Sequence, residues 1–363
     1  KPSGVWIMSY TNGLDDPTAY FQVNLHSGDG GTGQTLTFDG NSDLQLDLHW
    51  GKCRSEGGRE WQVIDTVRGI TKGLTTVTAA AEYTDSNYVT AIGSNGYSIG
   101  QNNDNNKAGE TYVSYNWKAG TSFTNDASST GIGSIDSAGS ASDTSGFSIV
   151  SYSGTGSAGT IKHGLSTAPS MIIVKVRTGR TSDWLVYHKG VASDAQTDFL
   201  KLNETNAVAD EATIWNDTAP TSSVFSVGTE DTVSGSGNTF VAYCFAEKKG
   251  YSKFSSYIGN GNADGNFIFT GQKSAFIMIK RTDTAADWEI YDNKRLGFND
   301  DNPPLYANLS NAEGSNDRID ILSNGFKIRA SSGNLNASGG TYIFAAFASN
   351  PFTTSTGIPA TAR

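Results

Sequence analysis

Apolar and polar residues alternate with a period of two along most of this chain, in short runs broken by Gly, Asn, Asp and Ser. Thr239-Phe240-Val241-Ala242-Tyr243-Cys244-Phe245 is one such run, rich in aromatic and β-branched residues, and it reads as a strand. The run Met171 to Val176 is nearly continuously apolar, as expected of a strand buried on both faces, and the Lys175 and Arg177 side chains then point opposite to Val176. Helical spacing is scarce, and only residues 77–83 and 206–214 are expected to hold a turn or two of helix. Many short strands separated by turn residues predict an all-β fold of sandwich or jelly-roll type, in which two sheets face each other to hide the apolar side of each strand.

The pattern occurs three times. A lysine-bearing strand, a polar turn and a tryptophan recur as Lys52 with Trp61, Lys175 with Trp184, and Lys280 with Trp288. Each copy opens on an aromatic strand and a glycine turn, at Gly28-Asp29-Gly30, Gly154-Thr155-Gly156 and Gly259-Asn260-Gly261. Each ends on a similar strand, near Tyr112, Phe240 and Tyr342. Repetition of this kind marks one structural unit used several times. The reading gives an N-terminal extension (1–17), β-sandwich units of about 100 residues at 18–120, 145–248 and 249–350, a Gly/Ser-rich flexible linker at 121–144, and a C-terminal tail at 351–363 that needs a neighbour to be ordered. Three units in a row are expected, with the second and third in close contact because almost nothing separates them.

Composition narrows the function classes. A net charge of −10 argues against a protein that neutralises nucleic-acid phosphates. No apolar run approaches a membrane span, and no signal-peptide pattern is visible. The chain opens at Lys1 rather than Met, so a missing or processed N-terminus is expected. Cys53 and Cys244 fall at non-matching points of different repeats, which predicts two free buried thiols.

Candidate chemistry is sparse. Gly28 to Gly33 and Gly154 to Gly159 fit G-x-G-x-x-G, but strand-like segments follow them where a dinucleotide site needs a helix, so a turn is the better reading. Trp61, Trp184 and Trp288, with Lys52, Lys175 and Lys280, are candidate ligand-binding residues: an indole offers a flat face to a sugar and an ammonium donates to hydroxyls. The competing reading makes the tryptophans core anchors and has the lysines lie along a strand edge or stack on an aromatic, because what every copy keeps usually maintains the unit. Residues unique to one copy, as in the loops at 192–198 and 296–304, are the better places to seek function. His26, His49, His163 and His188 lack metal-site spacing, and His188 stands where the other copies have Asp65 and Asp292. The runs Asn102 to Asn106 and Asp300 to Asn302 have calcium-type donors but read as solvated turns. No catalytic residue, metal or cofactor is indicated, though paired carboxylates brought together from distant strands remain open.

The run Gly146 to Thr160, followed by His163-Gly164-Leu165, Ala168-Pro169 and Ile172-Ile173-Val174-Lys175, resembles repeats in structural proteins of tailed bacteriophages, particularly marine ones. So do Trp184 to His188, Tyr243 to Ala246 with Gly250 to Phe254, and Asp65 to Gly69 with Asn116 to Gly120. The resemblance covers about 18–350 and implies a virion-surface location. It points to a tail-fibre or receptor-binding protein that meets host cell-surface carbohydrate and other virion proteins and works as a homo-oligomer, by analogy a trimer. A capsid decoration or fibre protein with a structural task is the second expectation, and a polysaccharide depolymerase the third.

Overall fold

A computed structural model describes residues 14–295, 299, 302–315 and 318–361. The fold is all-β, and its short helices have no more than four residues each. Each repeat is a two-sheet sandwich whose larger sheet has one plan. An opening strand (Phe21–Ser27, Phe147–Ser153, Ser252–Ile258) pairs with the closing strand (Thr111–Trp117, Thr239–Phe245, Thr341–Pro351). The closing strand pairs with the lysine strand (Leu48–Cys53, Met171–Thr178, Gln272–Arg281), and that with the tryptophan strand (Gln62–Asp65, Leu185–His188, Trp288–Asp292). All these ladders are antiparallel. A smaller sheet of two or three strands covers one face of each large sheet.

The other face explains the nearly continuous apolar runs. In the lysine strand of unit 2, Ile172, Val174 and Val176 enter the unit's own core, while Met171 and Ile173 enter a core shared by all three units. Unit 3 divides in the same way, with Ile277 and Ile279 inside its own sandwich and Phe276 and Met278 in the shared core. Trp117, Phe245 and Phe347 hold equivalent positions on the three closing strands. Their rings meet at centroid separations of 5.5, 5.6 and 6.3 Å.

The units therefore close into a three-membered ring, which corrects the expectation of three units in a row. A strap follows the tryptophan hairpin of each unit, at residues 75–82, 201–208 and 306–313, and lies across the next unit. The Trp184 indole N–H donates to Thr75 O at 2.7 Å, Trp288 to Lys201 O at 2.9 Å, and Trp61 to Tyr306 O at 2.7 Å. The third bond returns from unit 1 to unit 3 and completes the circle. The stretch at 77–83, expected to be helical, is part of the first strap, whereas 206–214 does run into one helical turn, Ala212–Trp215.

Residues 121–144 are not a flexible linker. Thr121–Asn125, the helical turn Ala127–Thr130 and Ser137–Ser142 extend the large sheet of unit 2 to eight strands. Their small side chains are required by close backbone approach: a Cβ on Gly139 would sit 2.0 Å from the Ile149 carbonyl oxygen. The tail is ordered against its own chain, since Thr353 bridges Pro359 and the Ser355 N–H donates to Asp15 at 2.7 Å.

Two of the three seams hold the same buried ionic chain. Between units 1 and 3, the Tyr115 hydroxyl donates to Asp292 at 2.8 Å, Arg295 pairs with Asp292 at 2.5 Å and with Glu313 at 2.7 Å, and Glu313 also takes Arg54 at 2.9 Å. Between units 2 and 1, Tyr243, Asp65, Arg68, Glu82 and Arg177 repeat it. Burial pushes the Asp292 carboxyl up, and the Arg295 guanidinium with backbone N–H groups more than reverses that. At the third seam the equivalent positions are Ala345, His188, Val191, Val208 and Thr282. Strand register and the repeated backbone bonds from Glu82, Glu313 and Val208 fix this equivalence. His188 there accepts the Gly190 N–H at Nδ1 and bonds the Phe344 carbonyl through Nε2 at 3.1 Å. Phe254, opposite Ala345, stands where Val23 and Ile149 face tyrosines, so volume lost on one strand is restored on its neighbour.

Replacing Asp292 with Ala leaves the buried Arg295 guanidinium without its nearest carboxylate and removes the acceptor of Tyr115. The expected loss is about 3–5 kcal/mol of unfolding free energy, read by urea denaturation. A change below about 1 kcal/mol would mean that the ionic chain does not hold this seam.

Candidate functional site

All six residues singled out as ligand-binding candidates lie inside the molecule. Trp61, Trp184 and Trp288 are at most 1% exposed, as are Lys52, Lys175 and Lys280. Each indole N–H is committed to a strap carbonyl, and each ammonium is spanned by two carbonyls. Lys175 donates to Ala79 O at 3.0 Å and Ser182 O at 2.6 Å. Lys280 donates to Thr205 O at 2.8 Å and to Ala286 O, and Lys52 to Cys53 O at 2.9 Å and Ser310 O at 3.3 Å. The carbohydrate-binding reading of these six is corrected accordingly: the face a sugar would need is packed against the neighbouring unit. The lysines sit at no strand edge either, but on the inner face of the ring.

The glycine turns are also structural. Gly30, Gly156 and Gly261 take left-handed φ values of 69°, 76° and 71°, and strands follow them. Each turn docks on the segment before the closing strand. There the Asn106 amide donates to Asp29 and Gly31, and the Asn336 amide to Asn260 and Asn262. The Asn102 to Asn106 run is thus a turn lock, a role its composition did not reveal. His49, His163 and His188 are buried and held neutral, each pushed down to about 4 by burial. Among the described residues no group of three or more His, Cys, Asp or Glu is placed to hold a metal ion. Asp300, Asp301 and part of the 296–304 loop lie outside the described residues. Both cysteines are buried and free.

An apolar cavity of about 30 Å³ lies in the shared core among Trp50, Trp117, Met171, Phe245 and Phe347. It has room for about one water and no polar wall to hold it, so it is a packing defect and not a binding site.

An open concavity of about 690 Å³ lies on unit 2, and its wall is the stretch expected to be a linker. Asp126 caps the turn Ala127–Thr130, accepting from the Ser129 N–H at 3.0 Å and the Ser128 and Ser129 hydroxyls at 2.7 and 2.9 Å. These bonds hold its carboxyl below the usual carboxylate range. Asp136 accepts the Ala127 N–H at 2.8 Å, and the Asn125 amide donates to Ile132 O at 2.9 Å. Ile135 anchors the wall in the unit 2 core, and Ser151, Ser153, Thr155 and Thr239 form the opposite side. No Lys, Arg or His lines the groove. Hydroxyls, amides and carboxylates without a cation suit a neutral polyhydroxyl ligand better than an anion. Sequence reasoning passed over this groove because its residues are small and polar. The signal it held was that only one copy has these residues.

The three buried lysines give the fold a distinct pH response. Burial lowers each to about 8, against about 10.4 for an unfolded lysine. Between those values the unfolded chain holds lysine protons that the folded chain has released, so the lysines' contribution to stability rises with pH from about 8 to about 10, against an opposing contribution from Cys244 and the buried tyrosines, which burial keeps protonated. Lys280→Met is expected to flatten that rise by roughly a third, read as the difference in unfolding free energy between about pH 8 and 10. A Lys280→Met chain whose stability changes across this window just as the wild type's does would show that the Lys280 ammonium stays charged in the ring.

A family model for a domain of unknown function, DUF7483, matches residues 16–351 as one domain. That range runs from the first turn of unit 1 to the last strand of unit 3, so the ring as a whole is what the family describes. No curated protein and no solved structure matches the chain. The chain belongs to the DUF7483 family.

Proposed function

We propose that this chain is a phage tail-fibre or receptor-binding protein at the virion surface, and that it meets neutral host-surface glycans through the groove of unit 2. The groove is the observation behind this reading: a cation-free, hydroxyl-lined concavity present on one unit only, mounted on a rigid ring whose repeated residues are all used internally. Loops and insertions on a rigid scaffold are where recognition commonly sits. The virion setting rests on the resemblance of the repeats to phage structural proteins.

The depolymerase alternative finds less support in this groove. Asp126 and Asp136 are both engaged in holding the wall, and a carboxyl kept below its usual range is a poor general acid. As for assembly, one chain already supplies the threefold arrangement that a homotrimer would build from three. Light scattering distinguishes a single-chain head from the trimer expected by analogy.

A glycan array probed with the purified chain and with Ser153→Arg tests the proposal. Saturable binding of neutral glycans by the wild type, weakened about tenfold or more by the arginine in the groove, is the expected result. A folded chain that binds no glycan, or binds equally with Ser153→Arg, would move the assignment to a capsid decoration or fibre protein with a structural task.

A further inference from the structure

In unit 2 the open side of the sandwich is sutured by the chain itself. Ser137–Ser142 adds antiparallel to the outer edge of the opening strand. Just before it, Ile135 bridges Ile161 of the smaller sheet and is buried between the two sheets. Phe123, on the next strand out, lies against Lys162, whose amine is 5.8 Å from the ring centre.

Unit 3 has the same open side and no suture. Its opening strand Ser252–Ile258 and the small-sheet strand Phe267–Phe269 are both edge strands. A cleft of about 360 Å³ lies between them. The closing strand of unit 2 ends at Phe245 and the opening strand of unit 3 begins at Ser252, so no intervening chain can fill it. The side chains have changed to match. Strand register places Ser27, Thr35 and Thr37 of unit 1, and Ser153, Thr160 and Lys162 of unit 2, at the positions of Ile258, Phe267 and Phe269 in unit 3. Those three are 63%, 47% and 57% exposed, and they are three of the four large apolar side chains exposed among the described residues. All three positions are polar in the other two copies, and Phe267 and Phe269 line the cleft as an exposed apolar pair of the kind that marks an interaction surface. The two edge strands beside it offer backbone N–H and C=O groups to another strand, most openly around Ser256, since the Ser252 and Phe254 N–H groups donate to Lys248 O and Glu247 and the Ile258 carbonyl accepts the Asn266 amide.

We propose that unit 3 accepts an extended strand from a partner protein. The strand pairs antiparallel with Ser252–Ile258 and inserts one apolar side chain between the sheets, where Ile135 sits in unit 2. Small residues alternate along it, and a neighbouring aromatic or aliphatic group covers Phe267 and Phe269. This is strand addition, in which main-chain bonds supply affinity and the inserted side chain supplies selectivity. A second copy of this chain is a poorer occupant, because its own suturing segment is already built into its second unit.

The test uses the full chain and a labelled synthetic peptide of residues 121–142, the one segment that closes this side of a unit. Saturable binding is expected, with slowed amide exchange across Ser252–Ile258. Binding should weaken about tenfold or more in the double variant F267E/F269E, which puts two carboxylates where the apolar cover of the strand would lie, and with an Ile135→Asp peptide. The variant positions are exposed, so folding should be unaffected, as circular dichroism would verify. Absence of saturable binding overturns the proposal, as does equal binding by the double variant, which would place the peptide on unit 2. A concentration-dependent dimer in light scattering that F267E/F269E abolishes would also overturn it and assign the surface to a second copy.

Discussion

Everything in this molecule depends on finding donors for the buried carbonyl oxygens of the three straps. A strap leaves its own sheet at its first residues and runs on over the neighbouring unit as irregular chain, so the carbonyls it turns inward need donors from that unit, and unpaired buried carbonyls are costly. The neighbour supplies an indole N–H and a lysine ammonium from adjacent strands of its large sheet. Because those strands are already fixed by pairing, the donors arrive in a set geometry, and the angle between units is fixed with them. The lysine does this at a price in desolvation, visible in its lowered pKa, which a neutral donor of the same reach would avoid. A lysine is long enough to reach past the strand and can donate to two carbonyls at once.

The seams show how far the symmetry extends. Backbone bonds, tryptophan anchors and lysine clamps recur at all three. The ionic chain does not: it is present at two seams and replaced throughout at the third, where alanine, histidine and valines stand in for tyrosine, aspartate, arginine and glutamate. The replacement is concerted because a buried arginine left without its carboxylate, or the reverse, is worse than either complete arrangement. Phe254 facing Ala345 is the steric counterpart of that rule, since a cavity opened on one strand must be filled from another.

Much of the fold was legible in the sequence. The period-two pattern, the triplicate Lys and Trp spacing and the apolar run at Met171 announced sandwiches with doubly buried sheets. The ring was not legible, because nothing local tells a strand buried by its own unit from one buried by another. The substitution of His188 for Asp65 and Asp292 was visible as a difference, but its meaning needed Tyr115, Tyr243 and Ala345, which are far away in sequence. The segment at 121–144 misled for a different reason. Strands held by backbone ladders and close glycine contacts need few apolar side chains, so composition made ordered strands look like linker. For the candidate groove, the sequence offered only the hint that unique segments outrank repeated ones.

The closing contact of the ring joins residues near the two ends of the fold: Trp61 bonds Tyr306, and Lys52 bonds Ser310. On a ribosome, the first unit emerges long before the strap that must cover it. Until then its tryptophan has no strap acceptor, its lysine keeps only the Cys53 carbonyl, and its inner sheet face is exposed apolar surface. The most sequence-distant seam is also the last to form, so assembly has a direction, with two units waiting for the third. A premature stop within the last unit would therefore leave more than a shorter ring. It would leave the first unit open on the face that the missing strap was made to seal.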